Sequence, residues 1–441
     1  MYKSTFSSYE RRISVPVFRN KYKSCGTKIK YLTFLRKYCF PALHSDPRTL
    51  LSTPRIFQGI LIDVPPGQYM YIGLEKALIK ILNRTPSNLI PINTLLLDFN
   101  IDGCELNKKY EMYPIQVRIS NIPQSDAEVI GIYKGRTKPT DINLFLKCFI
   151  TDVNDVRKKT LEYEDKALEV HIRLFCLDLV ARAFIFRHKN HNSKKPCTKC
   201  KVKGSRYKKI SVYSGVNHEI RTDGEYSRMV DAEHHKGKSP FLELEVGLVT
   251  QVPIDPMHSL YLEHHKGKSP LLELKVGLVT QVPIDPMHCL YLDCVDKGTY
   301  GKQVKLSHAE ILKMSDRIQV IVNYCPLEFA RLSETLKYLE DFKATQHRQF
   351  LLYFGLVATN GIVSENVYIH YLLLSTAIRC LSLENPPITH LSFARLPLKY
   401  FIEDAELIYD LNFLSYNIHN LCHLVDDVEM YGSLESYAAW P

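Results

Sequence analysis

Residues 233–262, EHHKGKSPFLELEVGLVTQVPIDPMHSLYL, recur at once as residues 263–292, EHHKGKSPLLELKVGLVTQVPIDPMHCLYL. The copies differ only at Phe241/Leu271, Glu245/Lys275 and Ser259/Cys289. A stacked repeat architecture needs at least about three units with modified ends before its core closes, and this chain holds two. Working repeats of long standing also accumulate more differences than these. The pair therefore reads as a recent tandem duplication under relaxed selection, carried by a fold whose architecture is set by the rest of the chain.

That rest is long enough, at 441 residues with 45% hydrophobic content, for two or three domains with filled cores. The formal net charge of +10 favours a polyanionic partner, nucleic acid first. Twelve cysteines with a single Cys-x-x-Cys pair and no charged-then-apolar leader argue for reduced thiols rather than a secreted disulfide framework. The most apolar stretch, Tyr368 to Leu383, is interrupted by His370, Ser375 and Arg379. It falls short of a bilayer-spanning run, which points to a soluble protein.

Periodicity divides the chain further. Residues 1–30 mix Ser, Arg, Lys and Tyr without an apolar period, as a basic and disordered arm does. Residues 31–88 carry helical spacing in Tyr31 to Phe40 and Gly73 to Asn83, around a Pro/Gly-rich loop at Val64 to Gln68. Between 89 and 186 the pattern becomes strands at Thr94 to Phe99 and Ile115 to Ile119, a helix at Asp141 to Val153, a buried strand at Val170 to Leu177 and a short helix at Val180 to Phe186. That order predicts an α/β core. Residues 187–232 are a basic insertion around Cys197 and Cys200, with ten Lys or Arg in positions 187–209. After the duplicated segment, residues 293–441 are helical by period, at Ala309 to Tyr324, Ala330 to Phe342, Gln349 to Leu356 and Tyr368 to Leu381.

Two of the aliphatic runs end in an acid: Phe99-Asn-Ile-Asp102 and Leu174-Phe-Cys-Leu-Asp178. Carboxylates at neighbouring strand ends can hold two Mg²⁺ ions about 3.5–4 Å apart, which activate water and stabilise the leaving oxygen of a phosphodiester. The same letters also describe an Asp-Gly turn and a helix N-cap. Cys197 and Cys200 have the spacing of half a tetrahedral zinc site, and His188, His191, His234/His235 and His258 or His288 are candidates to complete it. Lys194, Lys195, Lys199, Lys201, Lys203, Arg206, Lys208 and Lys209 in the same insertion are candidate phosphate contacts, against the alternative of a solvated lysine-rich loop. Asp255-Pro-Met-His258 and Asp285-Pro-Met-His288 pair an acid with an imidazole, although Asp as N-cap with Pro at the first helical position explains Asp285 better. His419 and His423 share one helix face, with Asp426 and Asp427 a turn further, but no Glu follows the first histidine as a zinc protease requires. Phosphate-cradling glycine loops and Gly-x-Ser-x-Gly elbows are missing from the sequence.

A series of landmarks in one order resembles the transposases of CACTA-like DNA transposons of invertebrates. It runs through Pro47-Arg-Thr-Leu-Leu-Ser-Thr-Pro-Arg55, Pro66-Gly-Gln-Tyr69, Asn100-Ile-Asp-Gly103, Gly131-Ile-Tyr-Lys-Gly135 with Lys138-Pro139, and Leu177-Asp178. It continues through Cys197/Cys200, Arg221-Thr-Asp223, the His-His-Lys-Gly segment, Lys343-Ala-Thr345 and Asn417-Ile-His-Asn-Leu-Cys-His-Leu-Val-Asp-Asp427. The resemblance implies a ribonuclease-H-like DDE/D core interrupted by a helical insertion, which cuts transposon ends and joins them to target DNA with Mg²⁺ or Mn²⁺; with the residue readings above, the expected fold is α/β, such a core with a zinc-knuckle-like insertion and a mostly helical C-terminal part. It implies nuclear location and assembly into dimers or larger oligomers. Asp102 and Asp178 fall in the slots of the first two catalytic acids. The third is missing from both positions where similar sequences carry Glu: Gln346 stands in one, and the chain ends at Pro441 before the other. Asp285 and Asp427 are the remaining substitutes. The expectation is a transposase relative that no longer cleaves DNA, with two alternatives: a DNA-binding protein put to new use, and an active enzyme if the duplication and the early end are not genuine.

Overall fold

The computed structural model describes residues 60–107, 109–256, 306–325 and 344–437, together with 36–37, 332 and 335–336. The chain divides into two units, Met1–Gly59 and Ile60–Pro441, and the sheet and the sites belong to the second. The second copy of the duplicated segment, with Asp285 and His288, and most of the helix expected at 330–342 lie outside the described residues.

An eight-stranded mixed sheet organises the unit. Its strands are β1 (Ile60–Val64), β2 (Gly67–Tyr71), β3 (Thr94–Ile101), β4 (Cys104–Asn107), β5 (Tyr110–Ile119), β6 (Glu128–Gly135), β7 (Leu161–Tyr163) and β8 (Lys166–Leu177), in the order β1-β2-β6-β5-β3-β8-β7 with β4 on β5. The β3–β8 pair is parallel and the other pairs are antiparallel. A parallel pair needs a crossover, and the helix expected from Asp141 provides it as α2 (Ile142–Lys159), started by the Asp141 carboxylate on the amides of Asn143 and Leu144.

The hairpin β1–β2 departs from the helical reading of residues 31–88. Tyr69 and Tyr71 point inward at strand spacing, both buried, and Tyr69 registers against Tyr133 of β6. The run Gly73 to Asn83 is helical as expected, as α1 (Leu74–Leu82), whereas the run Tyr31 to Phe40 lies outside the described residues except for residues 36–37, which are helical. The Pro65–Pro66 peptide is cis and forms the turn, so the Pro/Gly-rich stretch joins two strands rather than two helices. Gly67 is required by close approach, since a Cβ there would lie 2.2 Å from the Lys134 carbonyl oxygen.

One sheet face is aromatic. Phe99 of β3 stacks on Phe175 of β8 with ring centroids 5.5 Å apart and meets the edge of Phe149 from α2 at 5.2 Å. The first copy of the duplicated segment completes this core. Phe241 is fully buried 4.6 Å from the Phe175 ring, and Leu244, Val246, Leu248, Val249 and Val252 are buried with it. Hydrogen bonds hold the copy along its length: Ser239 Oγ donates to the Ile185 carbonyl at 3.0 Å, and Gln251 Nε2 to the Ile172 carbonyl at 2.9 Å. Arg157 donates to the Leu244 carbonyl at 2.7 Å, and the Val249 amide donates to Asp223 at 2.7 Å.

The other face is covered by the helical C-terminal part, with Leu174 and Cys176 of β8 packed among its apolar side chains. Among the described residues its α-helices are α5 (His308–Val322), α6 (Ala344–Gln349), α7 (Gly355–Thr359), α8 (Glu365–Leu381), α9 (Ile388–Tyr409), α10 (Tyr416–Asn420), α11 (Leu424–Tyr431) and α12 (Leu434–Tyr437), numbered after α3 (Leu179–Ile185) and α4 (Asp223–Ser227). Asp98 is fully buried on β3, bonded by Arg118 Nε at 3.0 Å and by Arg173 Nε and Nη2 at 2.7 and 2.6 Å. Both arginines also donate to the Ser436 carbonyl, and Arg173 reaches that of Tyr431. A buried carboxylate thus fastens the C-terminal helices to the central strand. No helix among the described residues is long and apolar enough to cross a membrane.

Candidate metal centre and carboxylate pair

Cys197, Cys200, His419 and His423 come together, all buried, with one ligand atom of each within 4.8 Å of all the others. Cys197 Sγ lies 3.4 Å from His423 Nε2, and Cys200 Sγ lies 3.3 Å from His419 Nε2. A zinc ion with tetrahedral Zn–S and Zn–N bonds holds sulfur and nitrogen about 3.5 Å apart, so the donor set and its spacing fit zinc. Burial would push the Cys197 thiol up, but the bond from Cys200 and the imidazoles of His423 and His419 hold it well below the usual thiol range. His423 is correspondingly raised by the Cys197 thiolate against the effect of burial. The pocket thus favours a thiolate at Cys197, while the bond with Cys197, burial and the Cys197 charge push the Cys200 thiol up, so that a metal would have to displace its proton. Four protein donors leave no open coordination position, which is the pattern of a structural zinc.

This set revises the expected one. The histidines nearest in sequence are used elsewhere: His188 stacks on His234 with ring centroids 4.8 Å apart, and their Nδ1 atoms face the Lys189 and Lys195 carbonyls. His258 and His288 lie outside the described residues. His419 lies in the last turn of α10, His423 closes the single turn before α11, and both rings reach the two cysteines. Val202 and Tyr213 of the insertion are buried around the two cysteines together with Leu179 of α3 and Tyr416 of α10.

The basic residues of the insertion are largely engaged by acids. Lys199 is buried against Asp427 at 2.7 Å, Lys195 meets Asp231 and Glu233 at 2.9 Å, and Lys194 lies 3.6 Å from Glu233. Lys201 pairs with Glu219 and Glu225, and Lys208 bonds Asp410 at 2.7 Å. Arg206 donates to the Lys209 carbonyl at 2.8 Å across the hairpin of β9 (Ser205–Tyr207) and β10 (Ile210–Val212). Lys203, Arg206, Lys208 and Lys209 are exposed. Lys199 is thereby removed as a phosphate contact, and the insertion is a packed module rather than a solvated loop.

Asp102 follows the last residue of β3 and Asp178 the last residue of β8, and the parallel register pairs Ile101 with Leu177. The two aspartates therefore follow neighbouring strands at the same end of the sheet. Asp178 caps α3 by accepting from the Ala181 amide, and Asp102 accepts from the Gly103 amide at 2.6 Å. The cap and turn roles are thus real. Around them sit Tyr113, whose hydroxyl donates to Glu111 at 2.8 Å, and Lys138, 5.7 Å from the Tyr113 ring and 5.8 Å from that of Phe184. Burial lowers the Lys138 pKa, while the charges of Asp178, Glu111 and Asp102 oppose the shift. Gly103 makes room for Tyr113, whose ring a Cβ would meet at 2.5 Å.

Among the described residues, no third His, Cys, Asp or Glu completes a metal-sized cluster with this pair. Asp427 is occupied: one oxygen takes Lys199 and the other the Ile254 amide at 2.6 Å. Gln346 is buried in α6 and donates to the Leu332 carbonyl at 3.1 Å. Arg182 of α3 joins the metal centre to the first repeat copy, donating to Thr198 between the cysteines at 3.4 Å and to the Pro253 carbonyl. No protein-family model matches the chain, and no curated protein matches it.

Proposed function

We propose that the protein is a transposase relative with a ribonuclease-H-like core that has lost DNA cleavage, stabilised by zinc at Cys197, Cys200, His419 and His423. The observation that carries this reading is the register of β3 and β8, which sets Asp102 beside Asp178 at the ends of adjacent parallel strands. Two-metal phosphoryl transfer draws on such strand-end carboxylates. The central order β6-β5-β3-β8, antiparallel except for the last pair, agrees with a core of that kind. Loss of cleavage is supported by the engagement of Asp427 with Lys199 and Ile254, by Gln346, and by the pair standing without a third ligand among the described residues. The partner is duplex DNA and the setting nuclear.

Purified protein incubated with supercoiled plasmid and its own element's terminal DNA should give no nicking above background with Mg²⁺ or Mn²⁺. Nicking that disappears in Asp102→Ala would overturn the loss of activity and establish a working enzyme. A DNA-binding role without chemistry is favoured by the exposed Lys203, Arg206, Lys208 and Lys209 beside the zinc centre.

A further inference from the structure

Lys194, Lys195, Lys199, Lys201 and Lys208 are each engaged by an acid, but the cations gathered around the end of α3 are not. Among the described residues, no acid forms an ion pair with Arg136, Lys138, Arg187, Lys236 or Lys238. We infer that Arg187 and Lys236 seat a backbone phosphate of duplex DNA, and that Lys138 continues the contact toward Asp102 and Asp178. This seat rests on the DNA partner proposed above, and it moves the phosphate contacts from Lys203, Arg206, Lys208 and Lys209 to the end of the sheet.

The two cations line a cleft of about 320 Å³ together with Thr140, Asp141, Asn143 and Phe184. Arg187 is half-buried, and its guanidinium has no hydrogen-bond partner among the described residues. Gly237 leaves it room, since a Cβ there would lie 3.0 Å from Arg187 Cζ and 3.1 Å from Nε. The His-His-Lys-Gly motif holds this arrangement in place. His234 and His235 are buried, His235 bridges to His188, and the Lys236 amide donates to the Arg187 carbonyl at 2.6 Å. The Lys236 ammonium is exposed and meets the neutral Asn190 Oδ1 at 3.1 Å. Asp141 is the one acid in the lining, and its Oδ1 accepts from the Asn143 and Leu144 amides at 2.9 and 3.2 Å. Its charge is thus directed into α2. A guanidinium with unused donors beside an ammonium suits the paired oxygens of a phosphate.

Lys138 links the cleft to the carboxylates. It stands on the loop from β6 to α2, just before Thr140, and its Nζ lies 5.8 Å from the centre of the Phe184 ring. The charges of Asp178, Glu111 and Asp102 act on it. From its Asp178 cap to Ile185, α3 rises about 10 Å at 1.5 Å per residue, which is about three base pairs of duplex at 3.4 Å each. The seated phosphate therefore belongs to a nucleotide about three steps from the one that faces the carboxylates. Arg136 and Lys238, both exposed, extend the positive surface along the two chain segments that border the cleft. A surface that continues past one phosphate suits a polymer rather than a lone anion.

The test is fluorescence anisotropy of a labelled duplex with the full chain over a series of salt concentrations. Each phosphate contact removed lowers the slope of log affinity against log salt by about 0.9. Lys236→Gln changes an exposed side chain, so it should leave the unfolding midpoint unchanged and lower the slope by about one. Arg187→Gln combined with Lys236→Gln should lower it by about two and weaken binding at moderate salt by about tenfold or more. Arg187→Lys, which keeps the charge, should keep the slope. Neutralising Lys203, Arg206, Lys208 and Lys209 together should change slope and affinity less than the cleft variants do. If instead that variant loses binding and the cleft variants keep it, the seat is wrong while the DNA partner stands. If the wild-type chain binds no duplex even at low salt, the DNA partner and the seat fall together. Thermal stabilisation by inorganic phosphate that Arg187→Gln abolishes, with DNA affinity unchanged in the same variant, would make the cleft a small-phosphate site and overturn the assignment.

Discussion

Asp98 was invisible as an acid of consequence, because Leu95-Leu-Leu-Asp-Phe99 reads as an aliphatic strand with one polar position facing out. The structure puts that position against the C-terminal helices, with Arg118 and Arg173 as partners from both neighbouring strands. Removing one member of a buried ion pair leaves the others uncompensated, typically at about 3–5 kcal/mol. Asp98→Ala is expected near the lower end, since both arginines retain some exposure and Ser436 as a further acceptor. Denaturant unfolding gives the figure, and a loss below about 1 kcal/mol would mean that helix packing alone holds the C-terminal part to the sheet. Asp102 and Asp178 were legible at this scale, because an aliphatic run that stops at an acid marks a strand end. Their adjacency was not, since it depends on which strands pair and in what register.

Elements with a regular period could be found from the sequence: β3, β8, α2 and α8 begin within a few residues of where apolar spacing puts them. The β1–β2 hairpin could not, because its alternation extends over five residues and is masked by Pro65, Pro66 and Gly67. The metal centre was half legible on each side. The Cys-x-x-Cys spacing and the i, i+4 histidines were both visible, but nothing local joins residue 200 to residue 419. A metal held there would connect the insertion to α10 and α11, adding to the contacts of Tyr213 with Tyr416 and of Lys199 with Asp427. One zinc per chain is expected by elemental analysis. Cys200→Ser or His419→Ala should lose most of it and destabilise the fold by several kcal/mol, on the order expected for a structural site. Full zinc content in either variant would mean that the four residues are not the ligands.

At the scale of the whole molecule, acid sensitivity follows from buried histidines. His370 is held down to about 4 by burial, its Nε2 on the Phe401 carbonyl at 2.8 Å, and burial lowers His234 to about 4 as well. Both are neutral in the folded state, while the unfolded chain binds protons below its ordinary value of 6.5. Stability is therefore complete above about pH 6.5 and falls as pH drops toward 4, by on the order of 2–3 kcal/mol for each ring. In His370→Leu the slope of unfolding free energy against pH should flatten by up to about one proton over that window, whatever the variant's absolute stability; an unchanged slope would show that the ring titrates normally. A metal at the Cys197, Cys200, His419 and His423 site would bear on the molecule differently. By tying residues 197–200 to 419–423, it would make the intervening chain a closed ring of more than two hundred residues, with both duplicated copies inside that stretch of sequence. The entropy of closing a ring grows only with the logarithm of its length, so the 30 added residues cost about 0.1 kcal/mol. A chain pinned at such distant points can lengthen by a whole motif and close almost as easily as before.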